Sequence, residues 1–304
     1  MNRSFSDEIK HQWKHGGMHI KLIGVNLAVF LLINILIGLG QLFAGKGNPN
    51  VIQDYVYQIF SLHGDLKGFL THPWGLFTSI FAHFGFMHFV FNMVFLYFIS
   101  RFFLMYFSHQ RMLYTYILGG IFGGLFEIIA NMVFPALQGD SGLIVGASGA
   151  VMAIFMAAAF HRPMAQVMLF GVIKMRMVFL AGIFILMDLL QMGTMDNVAH
   201  FAHLGGIAFG ILSIQNLQSK NNIVNFTQRT VKNVKASWKG QPTMKAQKGG
   251  ARKNQSAKNQ TDAEYNRQQK KKQGDIDVIL DKISKSGYDS LTKREKQVLF
   301  DQSK

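Results

Sequence analysis

Apolar residues fill the chain to about residue 216 and are sparse in the 88 residues that follow, so two different materials are joined end to end. Residues 22–43 carry no charged side chain over 22 positions. At about 1.5 Å per residue, that run crosses a hydrocarbon core of roughly 30 Å. A cleaved signal peptide would have a shorter apolar core ending in a small-x-small site; here Gln41 and Lys46 follow, and more apolar segments lie beyond. Those segments run over 84–107, 112–136, 145–160, 177–192 and 198–217, with Arg101 near the end of the first of them. The pattern predicts an all-α, polytopic membrane protein: a six-transmembrane-helix bundle with a C-terminal tail.

Charge orients this bundle. Arg3, Lys10, Lys14, Lys21, Arg101, Arg111, Arg162, Lys174 and Arg176 fall on one side of alternating connections, and Lys46 and Lys67 fall on the other. By the positive-inside rule both ends are cytoplasmic. The connection over 44–83 is rich in aromatic and aliphatic residues, among them Tyr55, Phe60, Trp74 and Phe77, and is expected to lie in the membrane interface.

The expected domain organisation is a cytoplasmic N-terminal segment at 1–21, the membrane core at 22–217, a basic disordered linker at 218–274 and a small cytoplasmic helical hairpin at 275–304. The linker has the Asn, Gln, Lys, Gly and Ser content of a chain that buries little. In the hairpin, Ile276, Ile279, Leu280 and Ile283 repeat at helical spacing, Gly287 can end that helix, and Thr292 with Glu295 forms a capping box for a second.

Composition narrows the chemistry. An average hydrophobic content of 49% and mean hydropathy of +0.18 would also fit a soluble protein, so the distribution decides the class. The net charge is +15, and the tail from residue 219 supplies most of it. Attraction to anionic lipid accounts for such a tail, at about 1 kcal/mol per basic residue near the surface, and no nucleic acid partner is expected. The absence of cysteine excludes disulfides, a thiol nucleophile and a thiolate zinc site. Together with the inside-positive charge it fits a bacterial inner membrane.

Polar groups in a bilayer are costly and invite a functional question. In the six-span topology, His83 and His88 open the second span, Ser148 opens the fourth, and His200 and His203 open the sixth, all from the outer side. Ser148 stands in Gly146-Ala147-Ser148-Gly149-Ala150, where small neighbours admit a substrate backbone but equally suit helix packing. His203 is the better candidate for a base, because Gly206 and Gly210 follow on its own face, opposite Gly149, Ala153 and Ala157 of span four. His200 reads as an interfacial polar residue. His88 and Asn92, spaced i, i+4, suit either an oxyanion hole or interhelical hydrogen bonding. His83 suits a structural hydrogen bond as well as chemistry. A metal site is not expected: there is no HExxH, and Asp196 is the one carboxylate read as lying near these histidines. Glu127 and Asp188 are intramembrane carboxylates, either proton relays of the kind a transporter uses or lone residues that face the bundle interior with a hydrogen-bond partner.

Taken together, His83-x4-His88-x3-Asn92, Tyr116-x3-Gly120, Gly146-x-Ser148-Gly149 and Ala202-His203-x2-Gly206-x3-Gly210 resemble the rhomboid family of intramembrane serine proteases over about residues 18–217. The resemblance implies a six-helix bundle with a Ser-His dyad and no acidic third member, cutting membrane-anchored proteins in or near their transmembrane segments. Ser148 would be nucleophile, His203 base, and His88 and Asn92 oxyanion donors with the Ser148 amide assisting. No cofactor is implied. The loop after span one would be membrane-embedded, and the span-five region would form part of the substrate gate. Two departures stand out: Trp74 is followed by Gly75 instead of arginine, and residues 102–108 lack the family's Glu and Gly. A rhomboid-like non-cleaving binder is the rival within this fold, and a transporter is the rival outside it.

Overall fold

The computed structural model describes residues 16–43, 50–137, 142–169, 173–192, 198–238 and 262–302. The N-terminal segment to residue 15, Lys46, Asp196 and the linker stretch 239–261 lie outside the described residues. The chain divides into two compact units, Met1–Met105 with His109–Gly250 and Tyr106–Ser108 with Ala251–Lys304.

The first unit is built on six apolar helices: α1 (Met18–Phe43) comes first, and α2 (Val51–Phe60), strand β1 (Leu62–His63) and short helices α3 (Leu66–Thr71) and α4 (Gly75–Thr78) follow it. Then come a 3₁₀ turn at Ser79–Phe81, α5 (Phe86–Phe103), α6 (His109–Val133), strand β2 (Leu143–Ile144) and α7 (Ser148–His161). Strands β3 (Gln166–Leu169) and β4 (Ile173–Arg176), α8 (Met177–Gln191), α9 (His200–Ser213) and α10 (Ile223–Trp238) complete the order. Each expected span has a helix within a few residues of its predicted bounds. Among the described residues, α1, α5 and α6 are long and apolar enough to cross a membrane, whereas α7, α8 and α9 are shorter apolar helices.

Position in the bundle explains the short α7. From Gly149 to Ala159 every residue is buried, so this helix is apolar all round and is wrapped by protein. An inner helix need only span the room its neighbours leave. The outer helices show the converse: Leu31, Ile35, Leu39 and Phe91 are exposed. A surface so apolar is stable only against hydrocarbon.

Small residues let α6, α7 and α9 approach to backbone contact. A Cβ at Gly206 would run into the Gly149 carbonyl, and one at Gly210 would lie 2.5 Å from the Ala153 carbonyl. One at Gly123 would lie 2.6 Å from the Ala202 carbonyl. Packing of this kind is what holds helices together where the solvent is itself apolar. Polar ties add direction. Buried Tyr116 accepts from Asn26 Nδ2 at 3.0 Å and donates to the Ile80 carbonyl at 3.2 Å, joining α6 to α1 and to the 3₁₀ turn.

Three expectations change. The all-α fold carries two small antiparallel ladders, β1 with β2 (Leu62 opposite Ile144) and β3 with β4. The 44–83 connection is, over its described part, mostly short helix, and Gly75 stands where any side chain would collide with the Ser61 carbonyl. A close backbone crossing thus occupies the place where the family often has an arginine. The 218–274 linker is helical over Ile223–Trp238 because that helix is tied down: buried Arg111 donates to the carbonyl of Ser213 and to the side chains of Asn222 and Asn225.

In the second unit, α11 (Asp262–Ser286) begins earlier than expected, and Gly287 with φ 74° follows it. After a 3₁₀ turn at Tyr288–Ser290, α12 (Lys293–Gln302) opens with Thr292 Oγ1 accepting from Glu295 N–H at 3.3 Å and Glu295 Oε2 accepting from Thr292 N–H at 2.7 Å.

Gly206→Ala is expected to lower the unfolding free energy in detergent by about 1–3 kcal/mol through overpacking. Gly182→Ala, where an added Cβ meets nothing within 4 Å, should leave it unchanged or slightly raised. Thermal melts of the two variants check this. In the hairpin, the Thr292 N–H and the Lys282 ammonium hold the Glu295 carboxyl down at about 2 from its ordinary 4.5. A depressed carboxylate contributes its stability above the unfolded value and loses it as pH falls towards the folded one. Amide exchange in α12, corrected for intrinsic rate, should therefore accelerate between about pH 4.5 and 2, and Glu295→Ala should abolish that step.

Candidate active site

Ser148 is the first residue of α7, so its hydroxyl and the free amides of the first turn share one end of the helix. The loop that delivers it is fixed from two sides. Gly146 N–H donates to the Ser79 carbonyl at 3.0 Å, and Ala147 N–H donates to His83 Nε2 at 3.3 Å. Gly146 has φ +130°, and a Cβ there would lie 2.7 Å from the His88 ring. Glycine is required on both counts. His83 is fully buried, its ring centroid 5.1 Å from that of His88 and nearly edge-on to it.

Ser148, His203, His88 and Asn92 line one cavity of about 450 Å³, together with Gly146 and Gly149. They come from three helices and are brought together only by the fold. Asn92 Nδ2 donates to the His88 carbonyl at 2.9 Å, which orients the carboxamide and leaves its second N–H free to point elsewhere. Gly206 and Gly210 lie behind the cavity on α9, setting its approach to α7.

Glu127 faces the bundle interior with hydrogen-bond partners. This residue is buried on α6, and its Oε2 accepts from Ala202 N–H at 2.8 Å while Oε1 lies 3.3 Å from Asn131 Nδ2. It supplies an acceptor to the Ala202 amide in the first turn of α9. A carboxylate so engaged anchors the helix that carries His203.

Asp188 takes the second of its two readings, an interior carboxylate with hydrogen-bond partners, whereas His200 is buried and not interfacial. Asp188 Oδ1 lies 2.7 Å from His203 Nδ1 and 2.9 Å from His200 Nδ1. Among the described residues the carboxylate that meets these histidines is Asp188, Asp196 lying outside them, and the histidine lining the cavity has an acidic neighbour where a bare dyad is implied by the resemblance. The signal was present in the sequence: Asp188 is the single charged residue of α8, and an intramembrane charge demands a partner. What was missing was the partner's identity, since helix spacing does not say which face of α8 meets α9.

Asp188, His200 and His203 also offer three metal-ligand atoms within 4.8 Å of one another. Tetrahedral zinc at about 2.0–2.1 Å would hold such atoms roughly 3.3 Å apart. The observed separations of 2.7 and 2.9 Å are shorter and are those of hydrogen bonds.

A lipid-facing apolar surface around a small polar cavity marks an integral membrane protein. Residues 70–218 match the Rhomboid domain, and residues 259–304 match a family of unknown function, DUF6576. The chain is 33% identical over 150 residues to "RHOMBOID-like protein 12, mitochondrial" of Arabidopsis thaliana, covering 45% of this chain and 44% of the relative. The chain thus spans less than half the length of that relative. Through this membrane core the chain belongs to the rhomboid family.

Glu127→Ala should cost about 1–3 kcal/mol by leaving the Ala202 amide unpaired in the interior, and Glu127→Gln, which keeps an acceptor, should cost less. Unfolding midpoints of the two proteins in the same detergent test this order.

Proposed function

We propose that this protein is an intramembrane serine endopeptidase that hydrolyses peptide bonds of membrane-anchored proteins in or near their transmembrane segments. The observation that carries the reading is the shared cavity: a serine at a helix N-terminus, a histidine from a second helix, and two further hydrogen-bond donors from a third all line it. Ser148 Oγ attacks the scissile carbonyl while His203 takes its proton. The oxyanion that forms is met by His88, the Asn92 carboxamide and the backbone N–H of Ser148, where the helix terminus favours negative charge. His203 then protonates the leaving amine, and water hydrolyses the acyl-enzyme through the same base. No cofactor enters this chemistry.

Six spans with both termini on the cytoplasmic side of a bacterial inner membrane fit the charge distribution. Helix α10 supports the lipid part of the reading, since Phe226, Val234 and Trp238 are exposed on a helix that also bears Arg229, Lys232 and Lys235. Such a helix suits an anionic lipid surface.

Purified protein in detergent is expected to react with a fluorophosphonate probe and to cleave a transmembrane reporter substrate. Ser148→Ala and His203→Ala should each remove both activities without loss of fold. His88→Ala and Asn92→Ala should each lower cleavage on the order of 10² to 10³-fold. Folded wild-type protein that neither labels nor cleaves would sink the reading in favour of a non-cleaving binder.

A further inference from the structure

Asp188 has no place in a Ser-His dyad, yet it occupies the position behind the histidine that a third member would take. Its side chain is 8% exposed, and one oxygen, Oδ1, faces the Nδ1 atoms of both His203 and His200 at 2.7 and 2.9 Å. An ionised carboxylate carries no proton and only accepts, so each of these bonds requires the imidazole to hold its proton on Nδ1. In neutral His203 this leaves Nε2 unprotonated. That is the nitrogen a general base must present to a serine hydroxyl, and the His203 side chain lines the cavity that Ser148 also lines. When His203 takes up the proton, the imidazolium forms with a carboxylate oxygen already at hydrogen-bond distance in a buried setting, where such a pair gains more than in water.

His200 completes the arrangement from the same helix. It is buried, and its bond to Oδ1 holds the carboxylate from a second direction, so Asp188 does not depend on His203 for its orientation. Three residues before His203, it occupies the neighbouring turn of α9, and the two rings stand nearly perpendicular at 6.0 Å. Oδ2 of Asp188, by contrast, is buried without a hydrogen-bond partner among the described residues. A charge placed there for packing alone would be an expensive choice, because an apolar residue of similar size would need no partner at all.

We infer that Asp188 is a positioning residue for the general base: it fixes the tautomer and ring orientation of His203 and stabilises its protonated form, turning the dyad into a Ser148–His203–Asp188 relay with His200 as the clamp on the carboxylate. This rests on the assignment of Ser148 and His203 made above. It also gives the intramembrane carboxylate of α8 a role that needs no proton transport.

The test is the pH dependence of the second-order rate of fluorophosphonate labelling, measured on the full-length protein in detergent for wild type, Asp188→Asn, Asp188→Ser and Asp188→Glu, with thermal melts alongside. Asp188→Asn keeps the shape of the side chain but is free to donate to His203 Nδ1 and so favour the wrong tautomer. Its labelling rate should fall on the order of 10² to 10⁴-fold, the upper end being the loss when the aspartate of a soluble serine-protease triad becomes asparagine. The acid limb of its pH profile should also lie at lower pH than in wild type, because the imidazolium has lost the carboxylate that stabilises it. Asp188→Ser carries the same expectation and serves if the asparagine variant does not fold, whereas Asp188→Glu, retaining a carboxylate, should recover part of the rate with the wild-type pH profile. Wild type and a folded Asp188→Asn or Asp188→Ser protein labelling at equal rates with superposable profiles would overturn the inference while leaving the Ser-His assignment standing. Absence of labelling in folded wild type would instead overturn that assignment, so the two failures are distinct.

Discussion

The backbone-to-backbone approach of α6, α7 and α9 is the constraint on which the rest of the molecule depends. Gly206 on α9 faces the Gly149 carbonyl on α7, and Gly123 on α6 faces the Ala202 carbonyl at the start of α9. In hydrocarbon the hydrophobic effect gives helices no reason to prefer one another over lipid, so close van der Waals contact has to do the joining. At these positions a methyl group already overfills the space. The same contact sets the depth of the cavity floor and the separation of the elements that carry Ser148 and His203.

Buried polar groups supply the direction that such packing lacks. Tyr116 joins α6, α1 and the turn at Ile80; Glu127 anchors the first turn of α9; Arg111 ties the end of α9 to the start of α10. In a medium without water each of these groups would be costly if left unpaired, so each is stable in one arrangement of its neighbours and not in others. The two histidine layers follow the same logic. His83 holds the backbone just before Ser148, and Asp188 holds His203 and His200.

The cavity exists because α7 starts inside the bundle. Its 14 residues do not reach across a full hydrocarbon core, and the loop before it, pinned by the β1–β2 pairing and by Ser79, fills the remaining depth. Irregular backbone at that depth is tolerable where it lines a polar cavity. A helix terminus, a hydroxyl and three polar side chains are thereby placed in a space of about 450 Å³ walled from lipid by apolar helices.

The sequence by itself determined the six apolar segments, because length without charge is a direct measure of compatibility with hydrocarbon. It determined the candidate groups as well: Ser148 between glycines, His203 above a glycine ridge, and His88 with Asn92 one turn apart are all local spacings. It also held the ends of the C-terminal helices, since Gly287 and the Thr292–Glu295 capping box act within a few residues. Tertiary structure decided what local spacing does not encode. The inner position of α7 made it shorter than a span, Arg111 turned the start of an apparently unstructured tail into helix, and Gly75 admitted a backbone crossing. Above all it chose the partners of the intramembrane carboxylates. Glu127 went to an amide 75 residues away and Asp188 to two histidines 12 and 15 residues on, because the rotation of each helix about its axis is set by packing against its neighbours and not by its own sequence.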